Sequence, residues 1–225
     1  MARSFSGRTF VLRIDHSPIE ERTTLAGDLA FLMQRNVRPI VVAPTAEAAR
    51  SYVRSLNRQT NIAVGLCGAD AALLPAGPSA ALGRVQVGIL MTLTEAGYIP
   101  VIEPTALALR GDDVELSADE VAAAIAAATD AARAIFFHAS GGVFDPASNA
   151  LLAELTPAEA LAIADDETLD AGLRAAVRAA AHGVRAGVGA AQIVDGRIAH
   201  AAIVEFLTEI HLGTQVAGTV YLGAA

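Results

Sequence analysis

An α/β fold, a three-layer αβα sandwich with a mainly parallel central sheet, is predicted by two features of this sequence. Apolar runs of strand length alternate with longer segments of helical period along the whole chain, the pattern of a parallel sheet with helices on its faces. The composition agrees: 53% hydrophobic residues, dominated by Ala, Val, Leu and Ile, with 4% aromatics and no Trp, describe tight helix-on-sheet packing rather than an aromatic recognition surface. At 225 residues the chain is expected to form a single domain over 1–225, with lobes at 1–135 and 136–225.

The elements follow in order. Thr9 to Ile14 reads as the first strand, and Pro18 to Asn36 as a helix with Leu25, Leu29 and Leu32 on one face and Pro18 near its first turn. "RPIVVAP" is the second strand, Ala46 to Leu56 the second helix, and "NIAVGLCG" a buried strand. Val87 to Ala96 is helical and stops at Gly97, before the strand "YIPVIEP". "LALRGDDVELS" is expected to turn back at Gly111-Asp112, and Ser117 with Glu120 forms a capping box for an Ala-rich helix reaching about Ala132. "RAIFFHASGGVFD" is a buried strand with a glycine turn, in which Asp145 is a turn residue. Thr156 and Pro157 open a helix, Leu169 to Val184 is another, "AAQIVDGR" is a strand and turn, "HAAIVEFL" a short helix or strand, and "GTQVAGTVYL" closes the chain.

A net charge of −8 and a pI near 5.0 exclude phosphate-backbone binding to nucleic acid and disfavour anionic membranes. No apolar run reaches the roughly 18 residues of a membrane span, and the N-terminus lacks an apolar core for a signal, so a cytoplasmic location is expected. All sixteen basic residues are Arg, so no lysine ammonium contributes to any function of this chain. The single Cys67 excludes an internal disulfide.

Seven short motifs stand in one order: "VRPIVVAP", "AVGLCGAD", "AGYIPVIEP", "LSADEVAAAIA", "LAELTPAEALAI", "IVDGRIAHAAIVEFLT" and "GTQV". In that order the chain resembles the amino acid kinase family, and most closely the N-acetylglutamate kinases, over almost its whole length. The resemblance implies the amino acid kinase-like sandwich, an oligomeric assembly and a site built for ATP, magnesium and a small carboxylate acceptor.

At that site the chain departs from the family pattern. Phosphoryl transfer between anions needs cations and backbone N–H groups around the moving group. Where the family has a Lys and two glycines after the first strand, this chain has Arg13, Asp15 and His16. Where it has three glycines after the second strand, Pro44-Thr45-Ala46 stands, and proline supplies no N–H. The family's late-helix Lys falls on Ala176, its Asn before the "LSADE" helix on Glu115, and its nucleotide-side Thr-Asp on His138-Ala139. The segment carrying the family's substrate arm is almost absent between Arg58 and Asn61. Asp119, matching the family's lysine-organising Asp, remains. Two like charges about 4 Å apart at an effective dielectric near 20 repel by roughly 4 kcal/mol, so Asp15 opposes a triphosphate.

Each candidate residue carries a plain alternative. Arg13 can replace the lysine as a phosphate ligand or form a local ion pair with Asp15. Asp15, His16, Glu115, Asp119 and His138 can form a cluster for a divalent metal or acid–base chemistry, or be solvated cleft residues. Glu115 and Asp119 can be helix-start charges, and Thr45 a helix cap. Gly141 and Gly142 match the family's loop, and the resemblance implies that a ligand cleft persists there. His182, His200 and His211 read as surface or interface residues. The resulting expectation is a degenerate kinase-like protein with a binding, regulatory or oligomer-forming role. It takes itself or a small anionic metabolite as partner and has no cofactor. One alternative is an ATP- and magnesium-dependent kinase using Arg13, Asp119 and Arg174, with Thr45, Gly141 and Gly142 at the nucleotide. The other is a cleft rebuilt for metal, oxoanion or acid–base chemistry.

Overall fold

The apolar runs read from the sequence lie side by side in one sheet. The structure, a computed structural model, describes residues 5–15, 19–59, 61–77, 80–110, 113–207 and 212–218. Strands β1 (Thr9–Arg13), β2 (Arg38–Val42), β3 (Ala63–Leu66), β4 (Ile99–Ile102), β7 (Arg133–Phe137), β8 (Glu154–Leu155), β9 (Ala191–Val194) and β10 (Thr214–Val216) form an eight-stranded sheet in the order β3-β4-β2-β1-β7-β9-β10-β8. All neighbours are parallel except β9 and β10. Such strands are covered on both faces, which is why they read as continuous apolar runs rather than alternating ones.

The helices are α1 (Ile19–Gln34), α2 (Ala46–Gln59), α3 (Gly88–Glu95), α4 (Ala118–Ala128), α5 (Pro157–Ala164), α6 (Ala171–Arg185) and α7 (Ala201–Leu207). They divide into two layers, which completes the three-layer sandwich. On one face of the sheet Leu29 and Leu32 of α1, Tyr52 and Leu56 of α2 and Ala202 of α7 pack on Phe10, Leu12, Val41, Ile135 and Phe137. On the other, Leu90 of α3, Val121 and Ile125 of α4, Ala160 of α5 and Val177 of α6 pack on Val11, Ile40, Ala134, Phe136 and Ile193. Side chains alternate along each strand. Arg13 therefore shares the α4 face with Val11, and His138, one residue past β7, follows Phe136 onto that face.

Local chemistry sets the boundaries. Gly97 (φ +82°) turns the chain out of α3. At α4 the Ser117 hydroxyl accepts from the Glu120 N–H at 3.4 Å, so only the Ser117 half of the expected box is formed. The helix stops at Ala128, short of the expected Ala132, because Asp130 turns left-handed (φ +48°) and the Ala132 N–H is drawn to the Thr9 carbonyl. The expected hairpin is present as β5 (Thr105–Ala106) against β6 (Val114–Glu115), and its turn at Gly111-Asp112 lies outside the described residues. "HAAIVEFL" resolves to a helix, α7.

The full reciprocal box occurs at α5. The Glu159 N–H donates to the Thr156 hydroxyl at 3.3 Å, and the Thr156 N–H donates to the Glu159 carboxylate at 2.8 Å, with Pro157 at N1. Thr156→Ala is expected to lower stability by about 1 kcal/mol, read as a shift of the urea midpoint at constant slope. Among the described residues no helix is long and apolar enough to cross a membrane.

Candidate functional site

The topology itself locates a crevice. From β1 the chain passes through α1, on one face, toward β2; from β7 it passes through α5 and α6, on the other face, toward β9. Adjacent parallel strands whose connections leave to opposite sides open a crevice at their carboxyl ends, where ligands of such folds bind. Arg13 ends β1 and His138 follows β7, so both stand at this switch point.

Arg13 reaches α4, not its neighbour in sequence. Its Nε lies 2.9 Å from Asp119 Oδ1 and its Nη2 donates to Asp119 Oδ2 at 3.3 Å, while Nη1 donates to the Phe137 carbonyl at 3.4 Å. The Nε–H is poorly aligned with Oδ1, so that contact is an ion pair rather than a directional hydrogen bond. Both side chains are largely buried, at 17% and 8% exposure. The expected pair with Asp15 is thus replaced by a longer-range one, because strand alternation aims Arg13 beneath the first turn of α4. Burial holds the Asp119 carboxyl above its ordinary range, against the opposing charges of Arg13 and His138.

His138 forms the second pair. Its Nδ1 faces Ser140, at 2.9 Å from the hydroxyl and 3.2 Å from the backbone nitrogen, while Nε2 lies on the far side of the ring. That nitrogen faces Asp170 Oδ1 at 3.4 Å. Asp170 is the N-cap of α6, accepting from the Leu173 N–H at 3.0 Å, and this bond holds its carboxyl below the usual range. Gly172 permits the approach: a Cβ there would sit 3.1 Å from Asp170 Oδ1 and 3.3 Å from His138 Nε2. The positive ends of α4 and α6 thus both point at the crevice, and each is already matched by a carboxylate of this chain.

The other candidates separate. Thr45 Oγ1 accepts from the Ala48 N–H at 3.2 Å and caps α2. Gly141 (φ +72°) and Gly142 (φ +146°) form a turn beside His138, where a Cβ on Gly142 would stand 2.7 Å from Leu151 and 3.0 Å from the Thr214 hydroxyl. The turn is pinned by the Val143 N–H to Thr214 Oγ1 at 2.8 Å, and by Arg197, which bonds Asp195 and donates to the Ala139 carbonyl at 2.7 Å. Glu115 is exposed on the β5–β6 hairpin, and Arg174 acts on Asp166 in the α5–α6 connection. Asp15 is half-buried just past β1, and His16 and His211 lie outside the described residues. Among the described residues no three His, Cys, Asp or Glu side chains converge to hold a metal ion. His200 lies at the surface, as expected, and also pairs with the buried Asp28. Sequence reading missed Asp170, Ser140 and Arg197. Asp170 had a signal, an Asp three residues before the apolar Leu173 at a helix start.

A doubly wound α/β protein with a switch-point crevice defines the class. Residues 43–195 match the amino acid kinase family, and the chain belongs to it. The acetylglutamate kinase of Trichlorobacter lovleyi is 26% identical over 273 aligned positions, covering 95% of this chain and 93% of the relative. That of Syntrophobacter fumaroxidans is 34% identical over 187, covering 74% and 62%. Among solved structures, the Neisseria gonorrhoeae N-acetylglutamate synthase with coenzyme A and N-acetyl-glutamate superposes with a TM-score of 0.82 at 18% identity, over 96% of this chain and 61% of the synthase. The Giardia lamblia carbamate kinase bound to AMP-PNP does so with 0.67 at 13% identity, over 95% and 99%. The alignment to the first relative is longer than the 225-residue chain, so that kinase carries segments absent here; α2 passes to β3 through residues 60–62 alone.

No glycine follows β1 or β2 to bring backbone N–H groups to a phosphate, the Thr45 hydroxyl is engaged in a cap, Arg13 is held by Asp119, and Asp119 and Asp170 place negative charge at both helix ends.

Proposed function

We propose that this chain is a catalytically degenerate, acetylglutamate kinase-like protein that acts by binding or assembly rather than by phosphoryl transfer. The observation that carries the reading is the buried Arg13–Asp119 pair. The cation at the place of the family's first Lys is neutralised within the protein, and the place of its second holds Ala176, 2% exposed in the core. A transferring phosphoryl group needs cations directed at it in the transition state. Here the crevice offers His138, which faces Asp170 at 3.4 Å, and two carboxylates. The partners in this reading are a small anionic metabolite at the crevice mouth or a second copy of the chain.

A second reading keeps phosphoryl transfer to a small carboxylate, with Arg13, Asp119 and Arg174 as its machinery and Thr45, Gly141 and Gly142 at the nucleotide. It is supported by the names of the curated relatives, acetylglutamate kinases aligned over most of the chain. One experiment separates the two: thermal unfolding with millimolar ATP and magnesium, followed by a hydroxylamine trap for acyl phosphate with N-acetylglutamate as acceptor. The degenerate reading expects no nucleotide-dependent shift and no hydroxamate. A saturable shift with hydroxamate that vanishes in Arg13→Ala establishes the kinase and ends the degenerate reading.

A further inference from the structure

The α1/α2/α7 face of the sheet holds a charged group that the crevice does not use. Leu25, Leu29 and Leu32 of α1 face the sheet, and Asp28 stands among them at 2% exposure. A carboxylate so placed is costly unless its oxygens are matched. His200 Nδ1 meets Oδ1 at 2.6 Å, from a side chain that is itself 61% exposed. Among the described residues no donor reaches Oδ2. Asp28 lines a cavity of about 170 Å³ between α1, Tyr52 of α2 and the loop at 196–200. Burial keeps the Asp28 carboxyl above its ordinary range in spite of His200, so a cation placed beside it would favour its charged form.

The rest of the lining sets the class of ligand. Tyr52 and Phe137 contribute aromatic rings, Leu25 and Ile198 aliphatic surface, and the guanidinium of Arg197 is already directed to Asp195 and the Ala139 carbonyl. With Asp28 the one carboxylate of the lining and the Arg197 guanidinium turned to Asp195, this largely apolar cavity disfavours anions. Hard metal ions are excluded as well, since they need six or more oxygen ligands and no such set converges here among the described residues. An organic cation gains twice, from the carboxylate and from the ring faces. The volume falls well below the roughly 300–1,000 Å³ of pockets for drug-sized ligands, which limits the occupant to a charged head and a few carbons.

We propose that this cavity is a binding site for a small alkylammonium ion, whose charged end pairs with Asp28 Oδ2 and whose carbons lie against Tyr52, Phe137 and Ile198. The site is separate from the crevice, because strand alternation sends Phe137 to this face and His138 to the other. Its existence does not depend on whether the protein transfers phosphate.

The test is calorimetric titration of the full chain with n-butylammonium chloride at constant ionic strength, with n-butanol as the neutral control. Saturable one-to-one binding is expected, at least tenfold tighter for the ammonium than for the alcohol. Asp28→Asn keeps the shape and removes the charge, and is expected to weaken ammonium binding at least tenfold. Ile198→Trp fills the cavity from its exposed wall without touching the Asp28–His200 pair, and is expected to abolish binding. Absence of binding, equal binding of ammonium and alcohol, or undiminished binding to Asp28→Asn overturns the proposal. Should Asp28→Asn not fold, unchanged binding to Ile198→Trp overturns it.

Discussion

Asp119→Ala is expected to lower the stability of the protein by about 3 kcal/mol or more, because it leaves the Arg13 guanidinium buried without its counter-charge. The size of the loss reports the stranded charge, not a large net benefit of the pair. Both groups lost water on folding, and burial outweighs Arg13 in setting the Asp119 carboxyl, which is held above its ordinary 3.8. Replacing both members by apolar residues of similar size, as in Arg13→Met/Asp119→Leu, removes the desolvation of two ions together with their attraction. The double variant is accordingly expected within about 1 kcal/mol of the wild type, a strongly non-additive cycle in urea unfolding. The pH dependence has a definite sign. A carboxyl whose folded pKa is raised binds its proton more tightly in the native state than in the unfolded chain. Its stabilising contribution is therefore complete below about pH 3.8 and is lost as the pH rises through the raised folded value. Asp119→Asn lacks this titration and is expected to gain on the wild type across that window. A flat difference between the two proteins over the same pH range contradicts the burial argument.

The Arg13–Asp119 pair also shows what sequence reading can and cannot reach. The strands were legible because parallel sheets bury both faces, so "FVL", "IVV", "IPVI" and "AIFF" are apolar without interruption. Helix starts at Ser117 and Thr156 were legible from side chains that bond backbone N–H groups within three residues. Arg13 and Asp119, by contrast, are 106 positions apart, and only the three-dimensional placement of α4 over β1 brings them together. Local spacing favoured Asp15, two residues away, because no rule of neighbouring residues carries information about a distant helix. The same limit hid His138–Asp170 and Asp28–His200. Asp28 did leave a trace, a carboxylate at the centre of an apolar helix face, where a charge is retained only with a partner. The glycine turn was legible as a turn, yet its reason is packing: Gly142 is close to Leu151 and Thr214, at a backbone φ that side chains rarely adopt.

Gly213→Ala is expected to have a comparably large effect, about 3 kcal/mol, through backbone rather than charge. Gly213 is buried at the entrance to β10, and a Cβ there would overlap the Ile193 carbonyl oxygen and stand 2.8 Å from that of Gly141. Neither atom can swing aside as a side chain could. Ile193 belongs to β9 and is paired with Thr214, and Gly141 is fixed by the Arg197 and Thr214 anchors on either side of its turn. Relief therefore requires β10 to move away from β9 or the glycine turn to move toward the crevice, and the second route displaces Ser140 from the His138 ring. Loss of the Ser140 contacts at Nδ1 changes the surroundings of the ring, so the His138 resonances are expected to shift along with the fall in the urea midpoint. Gly218→Ala supplies the control, since no atom lies within 4 Å of a Cβ there, and is expected to stay within about 0.5 kcal/mol of the wild type. An equal loss in both variants assigns the effect to glycine replacement in general. A loss confined to Gly213→Ala, with altered His138 resonances, ties "GTQV" to the geometry of a crevice turn at Gly141, 72 positions earlier in the chain (213 − 141), a connection made through two carbonyl oxygens.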